Sequence, residues 1–283
     1  MRNIAIVDET FDINITASYH LSVQISSRGV CFAVLDTVRK KYIALKNFLL
    51  EESHPSTIEE QIKRLLQTDN YLNRKYKSSA LIYTTSNAAL IPNPIYDPDR
   101  LEELYNFSNR LVDKHEIYSN EIPCIDARII YAIPQIILDL IGDNPNNFRV
   151  FHQSCPIIEN SYLEAKSKTD EAYISAQVFP DFFDLTVFKN GQLELYNTFT
   201  YKTDQDLIFY ILYVYEQFGL NPDKVCLSLS GYVEKKSELI NKLSQFIHAI
   251  SFGDFSRSFT YSYTFGQLNQ HQFTNLINLY RCV

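Results

Sequence analysis

Apolar and polar residues alternate across 21–27, with Leu21, Val23 and Ile25 set against Ser22, Gln24 and Ser26, the pattern of a strand buried on one face. Arg28-Gly29 turns the chain into a second strand at 30–36, and a polar turn at 37–40 leads to a third at 42–50. Ser56 with Glu59 three residues on reads as a capping box, opening a helix whose Ile58, Ile62, Leu65 and Leu66 share one face. Residues 80–85 follow as a buried strand, and residues 1–18, with little periodicity, as an arm or a short edge element.

The same order returns in the second half. Strands are expected at 172–178, 185–189 and 192–199, the last two joined by Asn190-Gly191, a pair that tolerates the positive φ of a two-residue hairpin. A helix at 204–218 stops at Gly219, and strand 225–229, helix 234–246 and strand 248–252 complete the unit. The first half reaches its own last helix and strand, at 134–141 and 148–153, only after an insertion of about 87–133 that holds Pro92, Pro94 and Pro98, a short helix at 99–107 and strands near 116–118 and 128–133. The fold class is therefore α/β with a duplicated β-β-β-α-β-α-β unit. It implies two lobes: 1–165 with the insertion, and 166–283 with a C-terminal aromatic strand and helix, bridged by 156–167.

Two segments stand out from this frame. Residues 207–215 are apolar almost all round, which predicts a helix buried on more than one side, at the lobe interface, and too short to span a bilayer. In 255–265, Phe259, Tyr261, Tyr263 and Phe265 alternate with hydroxyl residues, which predicts an edge strand lying on the core. Tyr261 and Tyr263 are expected to be partly exposed there, as candidate partner contacts. Residues 275–280 read as a terminal helix packing back onto the lobes.

Composition removes several chemistries. The chain of 283 residues carries a net charge of −7 with its Lys and Arg scattered, so it lacks the basic face by which a protein neutralises nucleic-acid phosphates. Five cysteines far apart, without a CxxC or Cys/His cluster, read as buried free thiols rather than zinc ligands or a disulfide framework. Arg2 is followed by Asp8, Glu9 and Asp12 with no apolar run, so no signal peptide is expected and the location is taken as cytoplasmic. Only seven glycines occur, with no GxGxxG or GxxxxGK[ST], although phosphate-cradling loops depend on glycine for close backbone approach.

The duplicated unit resembles the actin-like ATPase (ribonuclease H-like) superfamily. More narrowly, residues 19–36 and 271–282 resemble an uncharacterised bacterial family with a degenerate form of that fold. The resemblance implies that each half's first hairpin should carry an Asp-x-Gly turn for phosphate and magnesium, and that a Gly-Gly pair should accommodate adenosine. Here the first turn is Ser26-Ser27-Arg28-Gly29, with Ser27 in the aspartate's place and Gly29 kept. The second is Pro180-Asp181-Phe182-Phe183-Asp184, and the adenosine turn is Ser230-Gly231, half of the pair. Ser27, Gly29, Asp181, Asp184, Ser230 and Gly231 thus mark a degenerate cleft. ATP and magnesium are the cofactors to consider, and the missing groups argue that none binds.

Two other constellations are weaker. Asp181 and Asp184 alone do not make the convergent carboxylates of a two-metal nuclease and read as turn residues bonding local backbone. His152 and Cys155 lack a third, orienting residue. The expected function is a non-catalytic scaffold that binds a protein partner or itself. A divergent ATPase or kinase is the alternative, and a nucleic-acid-associated factor a weaker one.

Overall fold

The computed structural model describes residues 3–50, 57–167 and 172–283. The chain begins with strand β1 (Ile4–Val7) and a short 3-10 turn, then the meander β2 (Tyr19–Ser26), β3 (Gly29–Asp36) and β4 (Lys41–Leu49). Helix α1 (Ile58–Thr68) and strand β5 (Ser78–Tyr83) follow. The expected Ser56 cap lies outside the described residues; the capping box is built by Thr57 and Glu60, whose side chains each accept from the other's backbone N–H.

The insertion forms its own small sheet, β6 (Ala88–Pro92), β8 (Ala127–Pro134) and β7 (His115–Ile122) in that spatial order, with helix α2 (Leu101–Asn106) against it. Helix α3 (Gln135–Gly142), strand β9 (Phe148–His152) and helix α4 (Ser154–Ser167) complete the first half. The second half runs β10 (Ala172–Val178), β11 (Phe182–Lys189), β12 (Gln192–Thr200), α5 (Asp204–Gln217), β13 (Leu227–Gly231), α6 (Glu238–Leu243) and β14 (Ile250–Phe252).

The duplication is visible in the sheets. The first is ordered β1-β4-β3-β2-β5-β9 and the second β12-β11-β10-β13-β14, so β2 and β10 hold equivalent central places. Each makes an antiparallel pair with its hairpin partner and a parallel pair with the strand after the helix. The Asn190-Gly191 hairpin has φ of 51° and 76°, the left-handed conformation that the pair was expected to adopt.

Three expectations give way. Helix α5 is not at the lobe interface: Leu207, Ile211 and Val214 pack into the second-lobe core, while Phe209 and Tyr213 face outward, 62% and 46% exposed. The interface helix is α4, whose Ile158 and Cys155 join the first core while Ser161 bonds Ser175 of β10 across to the second. The helix expected over 234–246 is only α6, six residues from Ser237 as its N-cap.

The third difference concerns the aromatic segment. After β14 the chain returns to the first sheet, where β15 (Thr260–Tyr261) pairs in parallel with Lys41 and Tyr42 of β4. It is two residues long rather than eleven, because Ser262 caps a 3-10 turn at Tyr263–Gln267. Phe255, Phe265, Phe273, Leu276 and Ile277 then cover the face of the first sheet formed by Cys31, Ala33, Leu35, Tyr42 and Leu45. Helix α7 (Thr274–Asn278) is fixed there by the Tyr42 hydroxyl, which donates to the Ile277 carbonyl at 2.7 Å. Burying side chains such as Leu276 and Ile277 contributes about 1.5–3 kcal/mol each.

A candidate cleft between the lobes

The two phosphate-type hairpins and the turn after β13 do converge. Gln24, Ser26 and Gly29 of the first hairpin, Val178 and Phe179 beside the second, and Gly231-Tyr232 line one cavity between the lobes. Its volume is about 20 Å³. That is room for about one water, whereas small-molecule pockets run to several hundred Å³. Phe273 and Leu276 from the C-terminal segment close another side.

Each expected site residue has a definite place. Ser27 is exposed on its turn, while Gly29 is buried with the Phe48 carbonyl oxygen 2.8 Å from where a Cβ would stand. Arg28, between them, reaches across to Asp181 on the second turn, 3.6 Å between guanidinium nitrogen and carboxylate oxygen. The two turn tips that would grip phosphate therefore meet each other. Of the phenylalanines, Phe183 points into the second core and stacks on Phe199, and Phe182 stacks on Phe179 at 4.7 Å between ring centroids. It is Phe179, not Phe183, that lines the cavity.

Gly231 has φ of 86° and is packed on β10: a Cβ there would overlap the Val178 carbonyl oxygen and lie 2.7 Å from Gln177 Nε2. The Tyr232 N–H donates to the same Val178 carbonyl at 2.8 Å. Glycine is needed here so that the chain can turn tightly over its own sheet. Ser230 does not line the cavity; its hydroxyl sits against Gly253.

Asp184 is separated from Asp181 in environment. It is fully buried on β11, accepts from the Thr198 hydroxyl at 2.5 Å and from Gln153 Nε2 at 3.2 Å, and has no cationic partner among the described residues. Burial pushes its carboxyl up to about 7, against the pull of those hydrogen bonds. Gln153 also joins the lobes: its Oε1 accepts from the Thr85 N–H and its Nε2 donates to the Thr85 carbonyl at 2.7 Å. His152 Nε2 donates to that carbonyl too, leaving Nδ1 to accept from the Ser154 N–H and hydroxyl. The ring is neutral, its pKa pushed down to about 3 by burial. Cys155 is buried and its thiol is raised to about 12, so the pair has no nucleophile to offer.

This polar seam was missed in the sequence. Its signal was Asp184, a carboxylate inside the otherwise mostly apolar run of β11, which needs polar partners once buried. Among the described residues no group of three or more His, Cys, Asp or Glu is placed to hold a metal. None of the described helices is long and apolar enough to cross a membrane.

Residues 8–250 match the family described as protein of unknown function (DUF3822). The chain belongs to this family. No curated protein matches it. Among solved structures, this DUF3822 member is similar to a Bacteroides thetaiotaomicron protein with an actin-like ATPase fold and unknown function. That match has 24% identity over 86% of this chain and 94% of the other, with a TM-score of 0.76. The PilM–PilN type IV pilus biogenesis complex follows at 10% identity, 93% and 98% coverage and a TM-score of 0.62. The cytoplasmic domain of EpsL, an inner membrane component of the Vibrio cholerae type II secretion system, gives 11%, 94% and 96%, and 0.50. At these identities the likeness shows the fold, and the fold is the two-lobed actin-like one expected from the duplicated unit.

Nucleotide and magnesium are what such a fold would accommodate between its lobes, and the residues present do not fit them. The cavity is an order of magnitude too small, and the turn tips beside it are paired by Arg28 and Asp181.

Proposed function

We propose that this family member is a non-catalytic actin-like scaffold that works by holding a protein partner or another copy of itself, in the cytoplasm of a bacterium. The observation that carries the reading is the filled cleft, about 20 Å³ between hairpins that would otherwise frame a nucleotide. Its degenerate site is Ser27, Gly29, Asp181, Asp184, Ser230 and Gly231, on lobes divided near residue 165. The ribonuclease H-like core serves as a frame, with no cofactor. PilM, whose structure is a complex with PilN, supplies a precedent for this fold in an assembly.

The test is thermal denaturation with and without millimolar Mg-ATP. A ligand confined to the native state raises the melting temperature, and none is expected here. A clear rise, lost in Arg28→Glu, would replace this reading with the divergent ATPase or kinase.

The aromatic segment supports a second measurement. Tyr261 is packed, stacked on Tyr42 at 5.7 Å with its hydroxyl donating to the Ser256 carbonyl, whereas Tyr263 is 76% exposed. Tyr263 is the proposed partner contact and Tyr261 its support. Tyr261→Ser should cost about 2–4 kcal/mol in urea denaturation, while Tyr263→Ser should leave stability within about 0.5 kcal/mol. Equal losses would make both residues core and remove the contact.

A further inference from the structure

Strand β12 ends the second sheet, and among the described residues no strand pairs with its outer edge. The direction of its backbone groups follows from its pairing with β11. The Tyr201 N–H donates to the Asp181 carbonyl at 3.2 Å, so Tyr201 faces β11. Successive residues of an antiparallel strand aim their N–H and C=O groups to opposite sides. Tyr196, Thr198 and Thr200 therefore turn theirs outward, away from β11. At Glu194 the register slips, with Phe188 opposite Leu193 and Val187 opposite Leu195, so Glu194 is the extra residue of a β-bulge. The regular edge thus runs from Leu195 to Tyr201, and its middle residue is Thr198.

Edge strands are commonly blunted by charged side chains or proline, and residues 195–201 contain neither. Charge stands only at the two ends, Glu194 before the regular edge and Lys202 after it, both exposed. Neither makes a salt bridge among the described residues. Asp206, near Lys202, instead accepts from the backbone N–H groups of Lys202 and Thr203.

This pattern selects the occupant. A second β12, laid antiparallel and centred on Thr198, sets Thr198 against Thr198 and Tyr196 against Thr200. It also brings Glu194 of each copy opposite Lys202 of the other, and the two-fold axis makes that match twice. A parallel pairing in register would set Glu194 beside Glu194 instead. About six backbone hydrogen bonds would join the outward groups of the two edges. Unpartnered aromatic surface adjoins the same strand. Phe199 of β12 stacks on Tyr210 of α5 at 4.9 Å, and Tyr210 meets Phe209 at 5.5 Å. Phe209 and Tyr213 are the exposed aromatics of that helix.

We propose that β12 pairs with β12 of a second copy, antiparallel and centred on Thr198, joining the two second-lobe sheets into one. The proposal rests on the scaffold reading and names the edge by which copies hold each other.

The experiment is sedimentation velocity of the full chain from micromolar to submillimolar concentration. The parent should pass from monomer to dimer. Glu194→Lys and Lys202→Glu should each weaken the dimer about tenfold, since each reversal places like charges together at both ends of the interface. The double reversal, which restores opposite charges across the axis, should recover most of the parent's affinity. Thr200→Pro removes an outward N–H while leaving the β11 ladder intact, and should abolish the dimer with little change in melting temperature. Should that variant fail to fold, the charge reversals, both at exposed positions, decide alone. A parent that stays monomeric, a folded Thr200→Pro that dimerises like the parent, a single reversal without effect, or a double reversal no stronger than the singles overturns the proposal. Thermal denaturation with Mg-ATP is run beside it: a shift there removes the scaffold reading, whereas a monomeric parent without a shift overturns the β12 contact alone.

Discussion

Replacing Gly231 with valine is expected to cost about 3–5 kcal/mol of stability, combining left-handed backbone strain with overpacking against β10. In a chain of this size that lowers the melting temperature by roughly 10 °C. The cause is specific. At Gly231 the φ is 86° and a side chain would enter the Val178 carbonyl and the Gln177 amide, at the C-terminal end of β10, a central strand of the second sheet. Gly191→Ala is the matched control, because Gly191 also has positive φ, at 76°, but nothing lies within 4 Å of its missing Cβ. That change should cost about 1 kcal/mol. Thermal or urea denaturation of both variants separates the terms. Similar small losses would mean that the turn after β13 is not packed on β10, and the closed cleft would fall with it.

The second large effect is a pH dependence centred on Asp184. In the unfolded chain an aspartate titrates near 3.8, and burial raises this one to about 7 in the fold. The native state therefore prefers the protonated carboxyl. Its contribution to stability is complete below the unfolded value, declines as pH rises between the two, and is lost above about 7. The full swing corresponds to roughly 4 kcal/mol. His152 and His20 act in the opposite sense: both are held neutral, with pKa values pushed down to about 3 and 4, so their contribution falls as pH drops below 6.5. The Asp184 term is isolated by comparison with Asp184→Asn. The variant should match the parent within about 1 kcal/mol near pH 4 and exceed it by a few kcal/mol near pH 8 in urea denaturation. A constant difference across that range would show that Asp184 stays ionised in the fold.

Strands β2 and β10 were legible because apolar residues recur at every second position, and β3 because both its faces are buried and it reads as one apolar run. The duplication followed from counting those elements. Helix α5 misled for a physical reason. Phe209 and Tyr213 are exposed aromatics, so an all-round apolar sequence does not here mean all-round burial. The 255–265 segment misled in the opposite way. Its alternation is a strand's, but Ser262 accepts from the Thr264 N–H and begins a turn, a local competition that periodicity does not register. In the cleft, the lone glycine and the missing aspartate were readable, whereas the Arg28–Asp181 pair joins residues far apart in sequence. The same holds for the seam of Thr85, Gln153 and Asp184, which three separate elements assemble.

The return of the C-terminal segment has a consequence for the order of events on the ribosome. The first sheet is synthesised early, yet one of its faces, with Cys31, Ala33, Leu35 and Leu45, is covered by Phe255, Phe265, Phe273, Leu276 and Ile277. Until those residues emerge, the nascent first lobe presents a wide apolar surface. A chain stalled after β14 would hold a nearly finished second lobe beside an unfinished first one. Completion of the earlier lobe thus waits for residues made after the strands of the later one, and the nascent chain should occupy chaperones until they emerge.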